Sequence, residues 1–258
     1  MRFAVSDIHG HKDELRAALG STGLVDQHDD WAGGEATLWF LGDFFDRGPD
    51  GIGVVDLVRK LQSQAEQAGG VVRAVLGNHE VLAMGLRKFG TAGLGQSHMA
   101  DSFATSWLIN GGQISDQEQM TDEHVEWLTG LPGVALDGDD LLMHSDTDEY
   151  LRWGDSVDDI NATLLDVLRG DDMQAWWDCW ARLTTRYAFA RSDGAEVAGD
   201  LMRRLGGRRI VHGHTLIGDL RDIPSPDVDG PLSYAGGRVL GIDGGIYDGG
   251  PCLVVPLD

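Results

Sequence analysis

The chain has 258 residues, with 42 Asp and Glu against 20 Lys and Arg and a formal net charge of −22. A surface this acidic opposes non-specific nucleic-acid binding, which needs lysine and arginine to neutralise phosphates. The longest apolar runs are strand-sized, too short for a transmembrane helix, so no membrane partner is expected.

The opening residues, Arg2–Val5, read as a short apolar strand that ends on Ser6-Asp7-Ile8-His9-Gly10. They lack the basic start and apolar core of a signal peptide. A helix is expected from Lys12 to Leu19, then a polar loop from Gly20 to Gly34. The next apolar run, Thr37–Leu41, stops at Gly42 and at once presents Asp43, Asp46 and Arg47. Carboxylates at the end of a buried strand cost several kcal/mol to desolvate unless they are paired or bind metal. Ile52–Ala68 has the apolar spacing of a helix, closed by Gly69-Gly70. Val71–Leu76 is a third strand, ending at Gly77-Asn78-His79-Glu80, with a helix from there to about Arg87.

Strand, polar turn and helix thus recur three times in the first ninety residues. That alternation implies βαβ units and a largely parallel sheet, whose polar turns all emerge at one edge. Ligands bind there, outside the carboxyl ends of the strands.

Residues from about 90 to 130 are glycine-rich and partly helical, with Trp107, Asn110 and Gly111-Gly112, and read as a helical insertion beside the site. Val134–Leu136 and Leu141–Met143 form a hairpin, with His144 where its second strand ends. A tryptophan-rich helical segment occupies about 157–190. It reads as one helix from Asn161 to Tyr187, with Trp176, Trp177 and Trp180 serving packing rather than base stacking. A helix at Val197–Leu205 and a strand at Ile210-Val211 lead to His212-Gly213-His214-Thr215. Val239–Ile242 and Cys252–Val255 are expected to close as an antiparallel pair around Asp243. Cys179 and Cys252 share no metal-ligand spacing and suit free thiols of a reducing, cytoplasmic compartment. The whole, 1–258, reads as one domain.

Five strand ends therefore carry Asp7 and His9, Asp43, Asn78 and His79, His144, and His212 and His214. All are oxygen or nitrogen donors, a set suited to Mn²⁺, Fe or Zn²⁺. The donors outnumber what one ion takes. Two ions roughly 3.5–4 Å apart that share a carboxylate would use them, and Asp43 is the natural bridge. Water held between two such cations ionises near neutral pH and becomes a nucleophile. Two divalent cations and Arg47 would also make the site locally positive on an acidic protein.

In this order, Asp7-Ile8-His9-Gly10, Gly42-Asp43-Phe44-Phe45-Asp46-Arg47-Gly48, Gly77-Asn78-His79-Glu80, the strand-end His144 and Gly213-His214-Thr215 resemble the calcineurin-like metallophosphoesterase superfamily. Within it they resemble the bacterial phosphoprotein phosphatase branch; the Arg47-Gly48 pair and Glu80 favour that branch. The resemblance extends to Trp127–Pro132 and to Ile242–Gly245, and is weak over the insertion and residues 145–205.

The resemblance implies an α/β fold, a four-layer αββα sandwich of two mixed sheets flanked by helices. It implies that Asp7 and His9 hold a first divalent ion, that Asp43 bridges, and that Asn78, His144 and His214 hold a second, with Mn²⁺ favoured. Arg47 would grip the phosphate, Asn78 would contact substrate, and Arg186 or Arg182 would add a second arginine. His79 would be the general acid, oriented by Asp46. The implied activity is hydrolysis of phosphomonoesters, most simply of phosphoserine or phosphothreonine proteins. The alternatives are a dinucleoside polyphosphate hydrolase or a non-catalytic scaffold that binds phosphorylated partners. Ser6, Phe44-Phe45 and Ser145-Asp146 depart from the usual pattern around the ligands and alter the walls of the site. His98 and His124 read as surface residues, His11 as part of the rim, and Asp146 and Asp243 as partners that orient ligands.

Overall fold

The computed structural model describes residues 1–93 and 102–258. The N-terminal units run β1 (Arg2–Val5), α1 (Lys12–Ser21), β2 (Thr37–Phe40), α2 (Gly51–Ala68), β3 (Val71–Ala74) and α3 (Asn78–Phe89). In α2 the buried Ile52, Val55, Val58 and Leu61 recur at helical spacing. The Asp50 carboxylate accepts from the Gly53 amide at 3.0 Å to cap its start, and Gly69 ends it in the left-handed region at φ 80°. Strand β2 pairs in parallel with both β1 and β3, so the polar turns after all three leave at one edge, as the alternation of elements requires.

The insertion contributes α4 (Phe103–Ile109), α5 (Ile114–Gln119) and α6 (Asp122–Thr129). His98 lies outside the described residues. His124 is buried rather than on the surface: it stands three residues after the α6 cap Thr121, its Nδ1 accepts from the Thr121 amide at 3.0 Å, and its Nε2 faces Asp56 Oδ1 at 3.0 Å.

The hairpin of β4 (Val134–Asp137) and β5 (Asp140–Met143) follows, antiparallel as expected. The tryptophan-rich segment is two helices rather than one, α7 (Val157–Arg169) and α8 (Met173–Leu183). The break falls at Gly170, and Asp172 caps the second helix by accepting from the Gln174 and Ala175 amides. Trp176 of α8 is buried and packs edge-on against Phe89, in a packing role.

The chain closes with α9 (Gly194–Leu205), β6 (Arg209–His212), α10 (Ile217–Arg221), β7 (Leu232–Tyr234), β8 (Val239–Gly241) and β9 (Val255–Pro256). The expected antiparallel pairing of the last two apolar runs does not form. Strand β8 lies in the second sheet, parallel to β6 and antiparallel to β7, whereas β9 crosses to the first sheet and pairs antiparallel with β1. The two sheets are β3-β2-β1-β9 and β4-β5-β6-β8-β7, both mixed.

Between the sheets lies an apolar layer drawn from both: Ala4, Trp39, Leu41 and Val75 from one, Leu142, Val211 and Leu240 from the other. Helices cover the outer faces, with α2 against β3 and α9 against β6. This is the expected sandwich of two mixed sheets flanked by helices. Among the described residues no helix is long and apolar enough to cross a membrane.

Candidate metal centre

The carboxyl ends of β1, β2, β3, β5, β6 and β8 deliver Asp7 and His9, Asp43, Asn78, His144, His214 and Asp243, all buried. The backbone turns sharply there. Asp7, His9, Asp43, Asp46, Arg47 and His214 all have positive φ, between 46° and 67°. Non-glycine residues avoid this region, and such strain persists where surrounding contacts hold it. Those contacts are present: the amides of Asp7, His9 and Gly10 donate to the carbonyls of Gly42, Asp43 and Phe44, and the Gly213 amide donates to His144 O. A Cβ on Gly77 would collide with Asp43, so only glycine lets the third turn approach the second.

Two groups of donor atoms result. Asp7, Asp43, His144 and His214 each offer an atom within 4.8 Å of the others, and so do His9, Asp43 and His79. Asp43 belongs to both. Asn78 joins the first group, its Oδ1 2.9 Å from His144 Nε2. Asp7 thus stands beside Asp43 and within reach of His144 and His214, and the His214 amide donates to its Oδ2 at 2.8 Å.

His9 and His144 each commit one ring nitrogen to a backbone carbonyl, Nδ1 to Phe45 O at 3.0 Å and Nδ1 to Leu41 O at 2.7 Å, while His214 Nε2 lies 3.0 Å from both Thr184 O and Arg186 Nη2. A ring nitrogen facing a carbonyl carries the proton. The other nitrogen therefore keeps its lone pair for a ligand, the arrangement found behind metal-binding histidines.

Charge points the same way. Burial pushes the Asp7 carboxyl up to about 6 against the pull of His144, with nearby Asp43 adding to the rise. Burial and then Asp7 hold Asp243 well above the usual carboxylate range. Burial and Asp43 push Glu80 up to about 7. Asp43 goes the other way: burial opposes its charge, yet His144, His79 and His9 hold it below its ordinary range. Burial keeps His9 and His214 neutral, well below the usual imidazole range, with Arg47 and His144 respectively as further causes. Ionised Asp43, neutral His9 and His214, and carboxyls made costly by burial and their neighbours form a donor set that divalent cations fit.

The neighbouring catalytic candidates are also in place. His79 Nδ1 faces Asp46 Oδ2 at 2.8 Å, and its Nε2 is 3.2 Å from Arg47 Nη2. Burial lowers the His79 pKa, but Asp43 and the bond to Asp46 outweigh it and raise it. The Arg47 guanidinium stacks on the ring of Tyr247, 3.9 Å from its centre. Of the two candidate second arginines, Arg186 is at the site, Nη2 3.0 Å from His214 Nε2. Arg182 is not; it pairs with Glu149.

His212, next but one to His214, is turned away: Nδ1 contacts Gly213 O and Nε2 lies 2.8 Å from the Tyr234 hydroxyl. Asp146 holds two site loops together, accepting from Thr215 Oγ1 at 2.5 Å and from the Tyr187 amide at 2.9 Å. Asp243 accepts from the Gly245 amide at 2.9 Å. His11 is half-buried against Gly48 at the rim.

Four supporting residues were not identified from sequence. The Glu80 carboxylate accepts from the amides of Asp43, Phe44 and Gly77, each at 2.8 Å, and so clamps the second and third turns together. Asp116, from α5, accepts from the amides of Asp46, Gly51 and Ile52. Trp107, from α4, donates to Asp46. Tyr247 supports Arg47. Glu80 had a signal, a buried acid three residues after a glycine cap. The others lie far along the chain from what they touch.

Comparison with known proteins adds a family. A family model described as calcineurin-like phosphoesterase matches residues 3–218. Shewanella-like protein phosphatase 2 of Arabidopsis thaliana is 37% identical over 79 residues, 31% of this chain and 20% of that protein. A symmetrical bis(5'-nucleosyl)-tetraphosphatase of Hamiltonella defensa is 28% identical, covering 68% of this chain and 54% of that protein. The match thus spans a fifth of the first relative's length and about half of the second's. Among solved structures, a cold-active protein-tyrosine phosphatase of a psychrophilic Shewanella superposes with a TM-score of 0.71 at 24% identity, over 97% of this chain and 72% of that one, a likeness of fold.

Proposed function

The chain belongs to the calcineurin-like phosphoesterase family, and on that premise we propose that it is a dinuclear, metal-dependent phosphomonoesterase of the protein-phosphatase type. The observation that supports this reading is Asp43, shared by two buried donor groups in which His9 and His144 each turn one nitrogen to a backbone carbonyl. Asp7 and His9 would hold one ion and Asn78, His144 and His214 the other, with Asp43 offered to both. Mn²⁺ is the proposed metal, and two free cysteines suit a cytoplasmic setting. When bound, the ions supply Lewis acidity and an acidified water.

The chain's own residues do the rest. Arg47 is held between Tyr247 and His79 with its fork toward the site, so it and Arg186 can bind two edges of a phosphate. His79 lies within reach of Asp43 and so could be a third ligand of its group. Its Nδ1 is taken by Asp46, which leaves Nε2 toward the site beside Arg47. A proton on Nε2, stabilised by Asp46, is suited to transfer to the leaving oxygen.

A second reading, hydrolysis of dinucleoside polyphosphates, is supported by the tetraphosphatase relatives. The test is Mn²⁺-dependent turnover of p-nitrophenyl phosphate against its bis-ester, followed by phosphopeptides and diadenosine tetraphosphate. Preference for monoester and phosphopeptide supports the first reading. Preference for the tetraphosphate replaces it with the second.

A further inference from the structure

Among the described residues, the large apolar side chains that stand exposed are Met1, Leu108, Ile109, Ile114, Leu136 and Tyr187. Four of these six lie within three residues of Gly111, which touches Arg47, or directly follow Arg186. Leu108, Ile109 and Ile114 surround Gly111, whose carbonyl accepts from the Arg47 amide at 2.7 Å and whose bare α-carbon lies against the Arg47 side chain. Ile109 is two residues from Gly111, hence within about 7 Å of it along the chain. Tyr187 follows Arg186 directly. Leu108 is 61%, Ile109 71% and Ile114 66% exposed, a degree of exposure that costs solubility unless something covers it.

The segment that carries the patch has no positive charge of its own. No lysine or arginine occurs between Lys88 and Arg152, while Asp116, Glu118, Asp122 and Glu123 follow the patch. An anionic membrane surface or a polyphosphate tail would meet acid there, with no counter-charge.

We propose that this rim is a docking surface for a phosphorylated polypeptide carrying aliphatic residues beside the phosphorylated side chain. The inference rests on the phosphomonoesterase reading and adds its substrate class. Continuity with the site selects the occupant: a chain whose phosphate reaches Arg47 and Arg186 passes over Gly111, and its flanking residues fall on Leu108, Ile109 and Ile114. Burying one exposed aliphatic side chain in such a contact corresponds to about tenfold in affinity.

The test uses the Mn²⁺-loaded full chain, p-nitrophenyl phosphate, and two phosphoserine peptides that differ only in Ile or Gly on each side of the phosphoserine. Diadenosine tetraphosphate is the competing substrate. The expected kcat/KM is about tenfold higher for the isoleucine-flanked peptide. A combined Leu108→Ser, Ile109→Ser, Ile114→Ser variant should abolish that preference and leave p-nitrophenyl phosphate turnover unchanged. Equal rates on the two peptides, with p-nitrophenyl phosphate still hydrolysed, would overturn the docking surface and leave the phosphatase reading standing. So would a triple variant that only converts a dimer to a monomer in sedimentation, which would assign the patch to a second copy of this chain. Faster hydrolysis of the tetraphosphate than of either peptide overturns the substrate class. No turnover of any monoester defeats the underlying reading itself.

Discussion

The indole N–H of Trp107 donates to Oδ1 of Asp46 at 2.8 Å, on the side of the carboxylate opposite His79. The insertion therefore reaches the Asp46–His79 pair. Asp46 is fully buried, and with both oxygens engaged its plane is fixed, which fixes the ring of His79. Gly112 lets this happen, because a side chain there would overlap the Trp107 ring.

Trp107→Phe keeps the packing and removes the donor. A lost hydrogen bond to a charged group is worth about 1.5–3 kcal/mol, so the rate limited by the general acid should fall about tenfold or more. Because a good leaving group needs no proton, turnover of phenyl phosphate should drop far more than that of 2,4-dinitrophenyl phosphate. Metal content should not change. An equal drop on both substrates would mean that Trp107 only supports the fold.

His79→Asn should retain both metals and lose about 10²–10⁴ in kcat on phenyl phosphate. Metal analysis of the purified variant decides the role. If an ion departs with the imidazole, His79 is a ligand of the His9 and Asp43 group and not the proton donor.

Much of the site was legible because its logic is local. Asp7, Asp43, Asn78 and His144 each follow a short apolar strand, and parallel strands bring such endings together without further information. Arg186 was marked only by its place in the chain, and His212 was set apart from His214 only by the threonine that follows the latter. What escaped was long-range. Strand β9 is two residues long, and its partner β1 lies at the other end of the chain, so Cys252–Val255 looked like the mate of the nearer β8. Trp107 and Asp116 act on Asp46 from 61 and 70 residues away, and no periodicity records that contact. The break between α7 and α8 rests on three residues, Gly170-Asp171-Asp172, in a stretch otherwise spaced for a helix.

Glu80 should prove a stability residue with a catalytic consequence. Glu80→Ala leaves the amides of Asp43, Phe44 and Gly77 buried without acceptors, at about 1–3 kcal/mol each. Even the lower figure totals about 3 kcal/mol, which in a chain of this size lowers Tm by roughly 6–12 °C. Thermal unfolding followed by circular dichroism measures it. A change under about 2 °C would show that water or a neighbouring group takes over the three amides.

Asp43→Asn tests the shared carboxylate most directly. The substitution keeps size and one oxygen but removes the charge that both donor groups use, and the surrounding His9, His79, His144 and His214 lose their common counter-charge. Expected is loss of activity together with loss of metal. Wild-type protein titrated with Mn²⁺ to about a hundredfold over its Kd should gain about 2.7 kcal/mol, hence roughly 5–11 °C in Tm, and chelation should reverse the gain. Asp43→Asn should show almost none of this response. Asp7→Asn, which touches only one donor group, should keep a reduced response and bind fewer ions per chain. Equal metal content in the two variants would place Asp43 in a single site and end the two-ion reading.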